Sequence, residues 1–142
     1  MAAAWMLTED FLTDILQQWQ GVHSGQTFRL LLFKNDYVPV DGTVVGDLVE
    51  CDFLGYVLQH FDPVDFAAAT WTPFVAQMLL TVFVTFTASG SLSTPQTAYG
   101  YYVLDEDDNF QWAERWEVPF VFEASSILNI KPALRQRTCR ES

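Results

Sequence analysis

The spacing of hydrophobic positions changes once along this chain, near residue 28. Before that point Phe11, Leu12, Ile15, Leu16 and Trp19 recur every three or four residues, which draws one apolar stripe on a helix. Thr8 stands where an N-cap belongs, and Glu9 and Asp10 sit where the positive end of the helix dipole favours acids. Gly21 is expected to end this helix or to open a loop running to Gly25.

Beyond residue 28 the chain reads as strands and turns. FRLLLFK (Phe28–Lys34) is a compact apolar run with a cation near each end, a candidate central strand. Asn35–Thr43 carries the Asn, Asp, Pro and Gly of a surface loop. Val44–Phe61 is ambiguous between extended and helix-like structure, and Phe61–Thr72 reads as loop or edge. In Phe74–Thr87, Leu80, Val82, Val84 and Phe86 alternate with Thr81, Thr85 and Thr87, the period of a strand. That run is therefore expected to be one long strand, bent at most, rather than a membrane helix, although no charged residue lies between Asp65 and Asp105.

Thr97–Leu104 and Phe110–Glu117 should pair as a hairpin around Asp105–Asn109. Val118–Ser125 and Ile127–Arg135 then supply one or two further strands. The expected fold is mainly β, a single-domain antiparallel β-sandwich or barrel with a short N-terminal α-helix. Residues 1–26 form an N-terminal arm with the helix, 27–135 the β domain, and 136–142 a basic C-terminal tail.

Composition sharpens this picture. The 142 residues are half hydrophobic, enough for one buried core, and carry a net charge of −11. The charge is divided unevenly. Residues 1–130 hold 17 acids against Arg29, Lys34 and Arg115, whereas the last twelve residues hold Lys131, Arg135, Arg137 and Arg140 against Glu141. Such a body repels nucleic acid, which binds through cations that displace counterions. The two cysteines, Cys51 and Cys139, have no CxxC spacing and are expected as free thiols. The first ten residues lack the cationic start and long apolar stretch of a secretion signal.

The residues that invite chemistry are weakly arranged for it. Asp105, Asp107 and Asn109 share the opening spacing of a calcium-binding EF-hand loop, but Phe110 replaces its tight-turn glycine and Trp116 its bidentate glutamate. Glu114 and Glu117, three apart on a strand, point to opposite faces. His23 and His60 are isolated, and nothing in the order of residues brings Cys51 to His60 as nucleophile and base. Nucleotide-binding glycine motifs and the nucleophile elbow are absent. The expectation is a protein with no catalytic residues, no cofactor and no metal.

Aromatic residues then become the question. Trp71, Tyr99, Tyr101, Trp112 and Trp116 are too many to be casually exposed: the first reading is a central hairpin buried on both sides, and the alternative is that one face contacts another subunit, because large apolar patches mark interfaces. By simple alternation Tyr99, Tyr101 and Val103 share one face of the hairpin, and Ala98, Gly100, Tyr102 and Leu104 the other. Phe11, Ile15 and Trp19 on the helix, and Arg135, Arg137 and Arg140 in the tail, complete the candidate interface.

Two segments, RLLLFKNDYVPVDGTVVGDLVECDFLGY (Arg29–Tyr56) and TAYGYYVLDEDDNFQWAERWEVP (Thr97–Pro119), resemble the small structural proteins encoded among the virion genes of tailed phages. The resemblance implies a virion component with a compact β fold, a capsid decoration (cement) protein. It implies the major capsid protein as partner, self-association with a trimer favoured, and neither nucleic acid nor membrane as ligand. A tail, baseplate or fibre component is the alternative. A carbohydrate-binding module with stacking platforms at Trp71, Trp112 or Trp116 is the third reading.

Overall fold

The computed structural model describes the backbone of residues 9–72 and 75–137, with side chains for residues 12–71 and 75–135. The chain is mainly β, with 43% strand against 14% helix, and its sheets are antiparallel with no closed barrel. Two compact units divide the chain, residues 1–25, 62–83 and 131–142 in one and residues 26–61 and 84–130 in the other. This partition cuts across the expected arm, β domain and tail.

The first unit is a helix on a small sheet. Helix α1 (Glu9–Val22) runs through Gly21, and the chain turns instead at Gly25, whose φ of 85° is left-handed. Leu12 and Leu16 of its stripe are fully buried, and Ile15 and Trp19 beside them are half-buried. The helix packs against strands β3 (Thr70–Thr72), β4 (Val75–Leu79) and β9 (Ala133–Arg137), which pair in the order β3-β4-β9. Gln20 fastens it at its C-terminal end, its amide donating to the carbonyls of Pro63 (2.9 Å) and Phe66 (3.0 Å). Trp19 meets Phe66 edge-on at 5.9 Å.

The second unit holds a four-stranded sheet in the order β2-β1-β6-β7, made of β2 (Gln59–Phe61), β1 (Phe28–Phe33), β6 (Gln96–Leu104) and β7 (Phe110–Phe122). A separate pair joins β5 (Val84–Thr87) to β8 (Ile127–Ile130). Strand β1 is central, as its apolar run implies. One edge meets β6 along its length; the other meets β2 at Phe28–Leu30 and then residues 49–51, through Lys34 N–H to Val49 O and Cys51 N–H to Leu32 O.

Both faces of this sheet are covered. On one, Leu31, Phe33, Tyr102 and Leu104 form a buried cluster with Leu48, and Tyr37, Leu58, Tyr99, Phe110 and Ala113 pack around it. Among the remaining aromatics Phe28 stacks on Phe61 and Phe53 on Phe122 at 4.2 Å, and Trp112 meets Phe61 edge-on at 6.4 Å. Gly100 makes one close approach possible: a Cβ there would lie 2.0 Å from the Glu114 carbonyl oxygen and 2.8 Å from the Phe33 ring.

Three expectations need correction. The period-two run Phe74–Thr87 is two strands, because β4 ends at Leu79 and β5 starts at Val84 with a different partner. Val118–Ser125 does not begin a new strand, since β7 continues to Phe122. The hairpin register shifts between Ala98 and Gly100, so that Trp116–Pro119 oppose Tyr99 alone. A bulge of this kind re-aims the side chains beside it. It is why Tyr99 packs with the Tyr102 cluster rather than sharing a face with Tyr101 and Val103.

Candidate interaction site

Residues 34–58 join β1 to β2 through a long loop whose only regular structure is a single 3-10 turn at Val45–Asp47. Loops of more than about 12–15 residues without secondary structure of their own are uncommon in compact units and usually functional. This one is fixed by its own polar side chains. Asn35 donates to the Asp47 carbonyl and accepts from Val49 N–H, both at 2.9 Å. The Thr43 hydroxyl accepts from Val40 N–H at 2.8 Å, and the Asp47 carboxylate from Val44 N–H at 3.0 Å. Lys34 pairs with Asp52, and Gln96 bridges to Asp52 and to the N–H groups of Asp52 and Phe53.

The inner side of the loop is apolar, as any loop lying on a sheet must be. Its outer side shows valines among carboxylates. Val38, Val40, Val44, Val45, Val49 and Val57 are between 42% and 65% exposed. Five exposed carboxylates share the loop with them, from Asp36, Asp41, Asp47, Glu50 and Asp52. Arg115 pairs with Asp36 and Lys34 with Asp52; among the described residues no cation pairs with Asp41, Asp47 or Glu50. Six exposed valines thus fall within this one loop.

Two groups of the loop and one of β6 hold their protons tightly. Burial pushes the Cys51 thiol up to about 12, against partial opposition from Lys34. Burial likewise raises the Tyr56 and Tyr102 hydroxyls above the usual tyrosine range, and the nearby Glu50 charge adds to it. Tyr56 accepts from Leu32 N–H and donates to Glu50 at 2.9 Å, which ties the loop to β1. Cys51 is thus a buried, protonated thiol, while His60 stands exposed on β2.

At the other end of the sheet the acidic turn is organised by Asp105. Its Oδ1 accepts the N–H groups of Asp107 and Asn109 at 2.9 Å, and its Oδ2 the amides of Asn109 and Gln111. Asp108 takes the left-handed conformation, φ 66°, and pairs with Arg29, which also donates to the Asp105 carbonyl. Glu106 accepts Thr27 N–H at 2.8 Å. Thr27, Arg29, Glu106 and His60 line a cleft of about 380 Å³. The carboxylates of this turn therefore close the turn and fasten it to the start of β1. Among the described residues no group of three or more His, Cys, Asp or Glu side chains is placed to hold a metal ion.

The aromatic candidates are mostly structural. Tyr101 is 2% exposed, with its hydroxyl donating to Glu114 at 2.7 Å, so it cannot be a contact residue on the outer surface. Trp116 lies against Tyr101 and Trp112 against Phe61, both half-buried, and Arg115 sits over the Tyr99 ring at 5.5 Å. Trp71 is half-buried on β3. Arg135 is exposed on β9 and donates to Gln77. The backbone of Arg137 continues β9 opposite Val75, so the basic segment begins inside a strand. The side chains of Phe11 and Arg137, and all of Thr8, Cys139 and Arg140, lie outside the described residues.

The valine loop escaped the reading of the sequence because its valines look like strand residues. The available signal was their position: they interleave with Pro39, Gly42, Gly46 and four of the five carboxylates, a turn composition that cannot bury them all. No helix among the described residues is long and apolar enough to cross a membrane. No family model, curated protein or solved structure matches this chain.

Proposed function

We propose that this chain is a non-enzymatic structural protein of a tailed-phage particle, a capsid decoration (cement) protein that stabilises the shell through subunit contacts. The observation that carries the reading is the ordered valine loop. A protein whose work is adhesion needs a rigid apolar surface that loses no conformational freedom on docking, and loop 34–58 is already pinned by its own hydrogen bonds. The acidic body suits the same role, since a charge of −11 keeps free copies apart and away from packaged nucleic acid before assembly.

The test is the copy number of this chain relative to the major shell protein, by quantitative mass spectrometry on density-purified particles. A ratio near one, or a sizeable simple fraction, is the expected result. A ratio of a few per cent assigns the chain to a tail, baseplate or fibre instead. Its absence from particles overturns the virion reading and turns attention to glycan binding.

A further inference from the structure

Asp41 and Gly42 form the only Asp–Gly or Asn–Gly dipeptide in the chain, and both are exposed in the valine loop. A glycine nitrogen carries no side chain beside it to keep it from the aspartate carboxyl. The turn that holds this pair is closed from outside it. Thr43 N–H donates to the Val40 carbonyl at 3.0 Å, and Val40 N–H to the Thr43 hydroxyl at 2.8 Å. Gly42 has φ 87°, which with that closing bond is the third position of a type II turn. Types I and II differ by rotation of the central peptide, and glycine accepts both. The 41–42 peptide can therefore rotate with both turn bonds kept. Nothing else restrains it: among the described residues neither the Asp41 carboxylate nor the Gly42 N–H has a hydrogen-bond or ion-pair partner. A Cβ placed on Gly42 would meet nothing within 4 Å beyond its chain neighbours.

We propose that Asp41 is a site of spontaneous modification, which cyclises with Gly42, reopens as isoaspartate and so undoes the turn. In the first step the Gly42 nitrogen loses its proton and bonds to Asp41 Cγ. One Cγ–O bond breaks, and that oxygen leaves as water with the amide proton and the carboxyl proton. The cyclic imide then takes up one water. Addition at Cγ restores aspartate, whereas addition at the main-chain carbonyl leaves the chain running through the side-chain carboxyl. The mass is unchanged, but one more backbone carbon separates Val40 from Thr43, and the spacing that their two bonds require is lost. Competing positions are disfavoured. Every other aspartate is followed by a residue that bears a side chain, and Asp62 by Pro63, which has no N–H. The three asparagines precede Asp36, Phe110 and Ile130, and the side chain of each is held in a hydrogen bond. This inference concerns the free chain and does not depend on the virion reading, whose test is made on particles.

The experiment ages the purified full-length chain for weeks in warm neutral buffer. Isoaspartate is titrated with protein isoaspartyl methyltransferase and located by electron-transfer mass spectrometry. Wild type should gain methyl acceptance with time, most of it at residue 41. Asp41→Glu should lose that gain, because its longer side chain has to close a larger ring. The substitution keeps the charge at an exposed position that holds no partner, so the variant should fold as wild type does. In the isoaspartyl form, separated by ion exchange, the Val40 and Thr43 amides should exchange faster than in the parent chain. A chain that gains no isoaspartate, gains it chiefly elsewhere, or keeps the gain in Asp41→Glu overturns the proposal. Unchanged exchange at Val40 and Thr43 in the isoaspartyl form overturns the loss of the turn.

Discussion

Two connections of the four-stranded sheet, loop 34–58 and the acidic turn 105–109, are built by the same device and present opposite surfaces. In each, a few short polar side chains satisfy backbone N–H groups that no sheet partner reaches: Asn35, Thr43 and Asp47 in the loop, Asp105 in the turn. The turn then shows carboxylates to solvent and is fastened by Arg29. The loop hides Tyr37, Leu48 and Leu58 beneath it and still shows valines. Order therefore says nothing about purpose. What separates the two is the surface left outside, and of the two only the loop leaves apolar side chains in water.

The most drastic way to break the comparison is to remove the floor of the loop while leaving the turn alone. Phe33 is fully buried between Gly100 and the loop cluster. Phe33→Ala should destabilise this unit by about 3–5 kcal/mol. Chemical denaturation would measure it. Amide exchange should speed first at Val40, Val44 and Val49, with Asp107 and Asn109 following only on global unfolding. Equal acceleration at both connections would mean that loop and turn form one cooperative unit.

Alkali should act on the same side of the comparison. Cys51, Tyr56 and Tyr102 all have folded values raised by burial. The folded state therefore keeps protons that the unfolded chain releases, and their contribution is intact below the ordinary thiol value of 9.0 and lost as pH rises toward about 12. The denaturation midpoint should fall over that window, with exposure of Tyr56 visible in the ultraviolet spectrum. In a Cys139→Ser background, alkylation at pH 8 should stay slow until the protein unfolds. Rapid alkylation of the native protein would contradict a buried, protonated Cys51.

How far residues alone lead is itself different in these two regions. The acidic turn is legible because its chemistry is local. Four acids and an Asn between two apolar alternations can only be a hairpin tip, and β6 and β7 begin and end beside it as expected. Strand β1 is legible for the same reason. The loop is not, since what holds it lies far away in sequence: Gln96 under Asp52 and Phe53, Leu32 against Tyr56. Alternation also cannot see a change of partner, so Leu80–Phe83 passes as strand interior although β4 pairs with β9 and β5 with β8. Nor can it see the bulge that turns Tyr99 away from Tyr101. The long aromatic list misleads because rings that stack on other rings leave little area outside.

A smaller effect is expected at the turn. Asp105→Ala removes the acceptor for two backbone N–H groups and two side-chain amides, all near the surface where water can replace it. The cost should be about 1–2 kcal/mol. Asp105→Asn should recover part of it, because one amide oxygen still accepts from the backbone.

The smallest effect on stability should come from the valines themselves, and it is the one that distinguishes a surface from a core. Val44 is 57% and Val45 42% exposed in the single chain, so Val44→Ser with Val45→Ser should change the folding free energy by no more than about 1 kcal/mol. A loss greater than that would mean that these side chains pack inward and that the loop is a lid on the core. With stability unchanged, any weakening of association has to come from the surface, because nothing beneath it has moved. The same variant separates adhesion from folding on particles, where a decoration protein would fall off the shell while remaining native in solution. The Asp105 variants bound that result from the other side, costing stability at the turn and leaving adhesion intact.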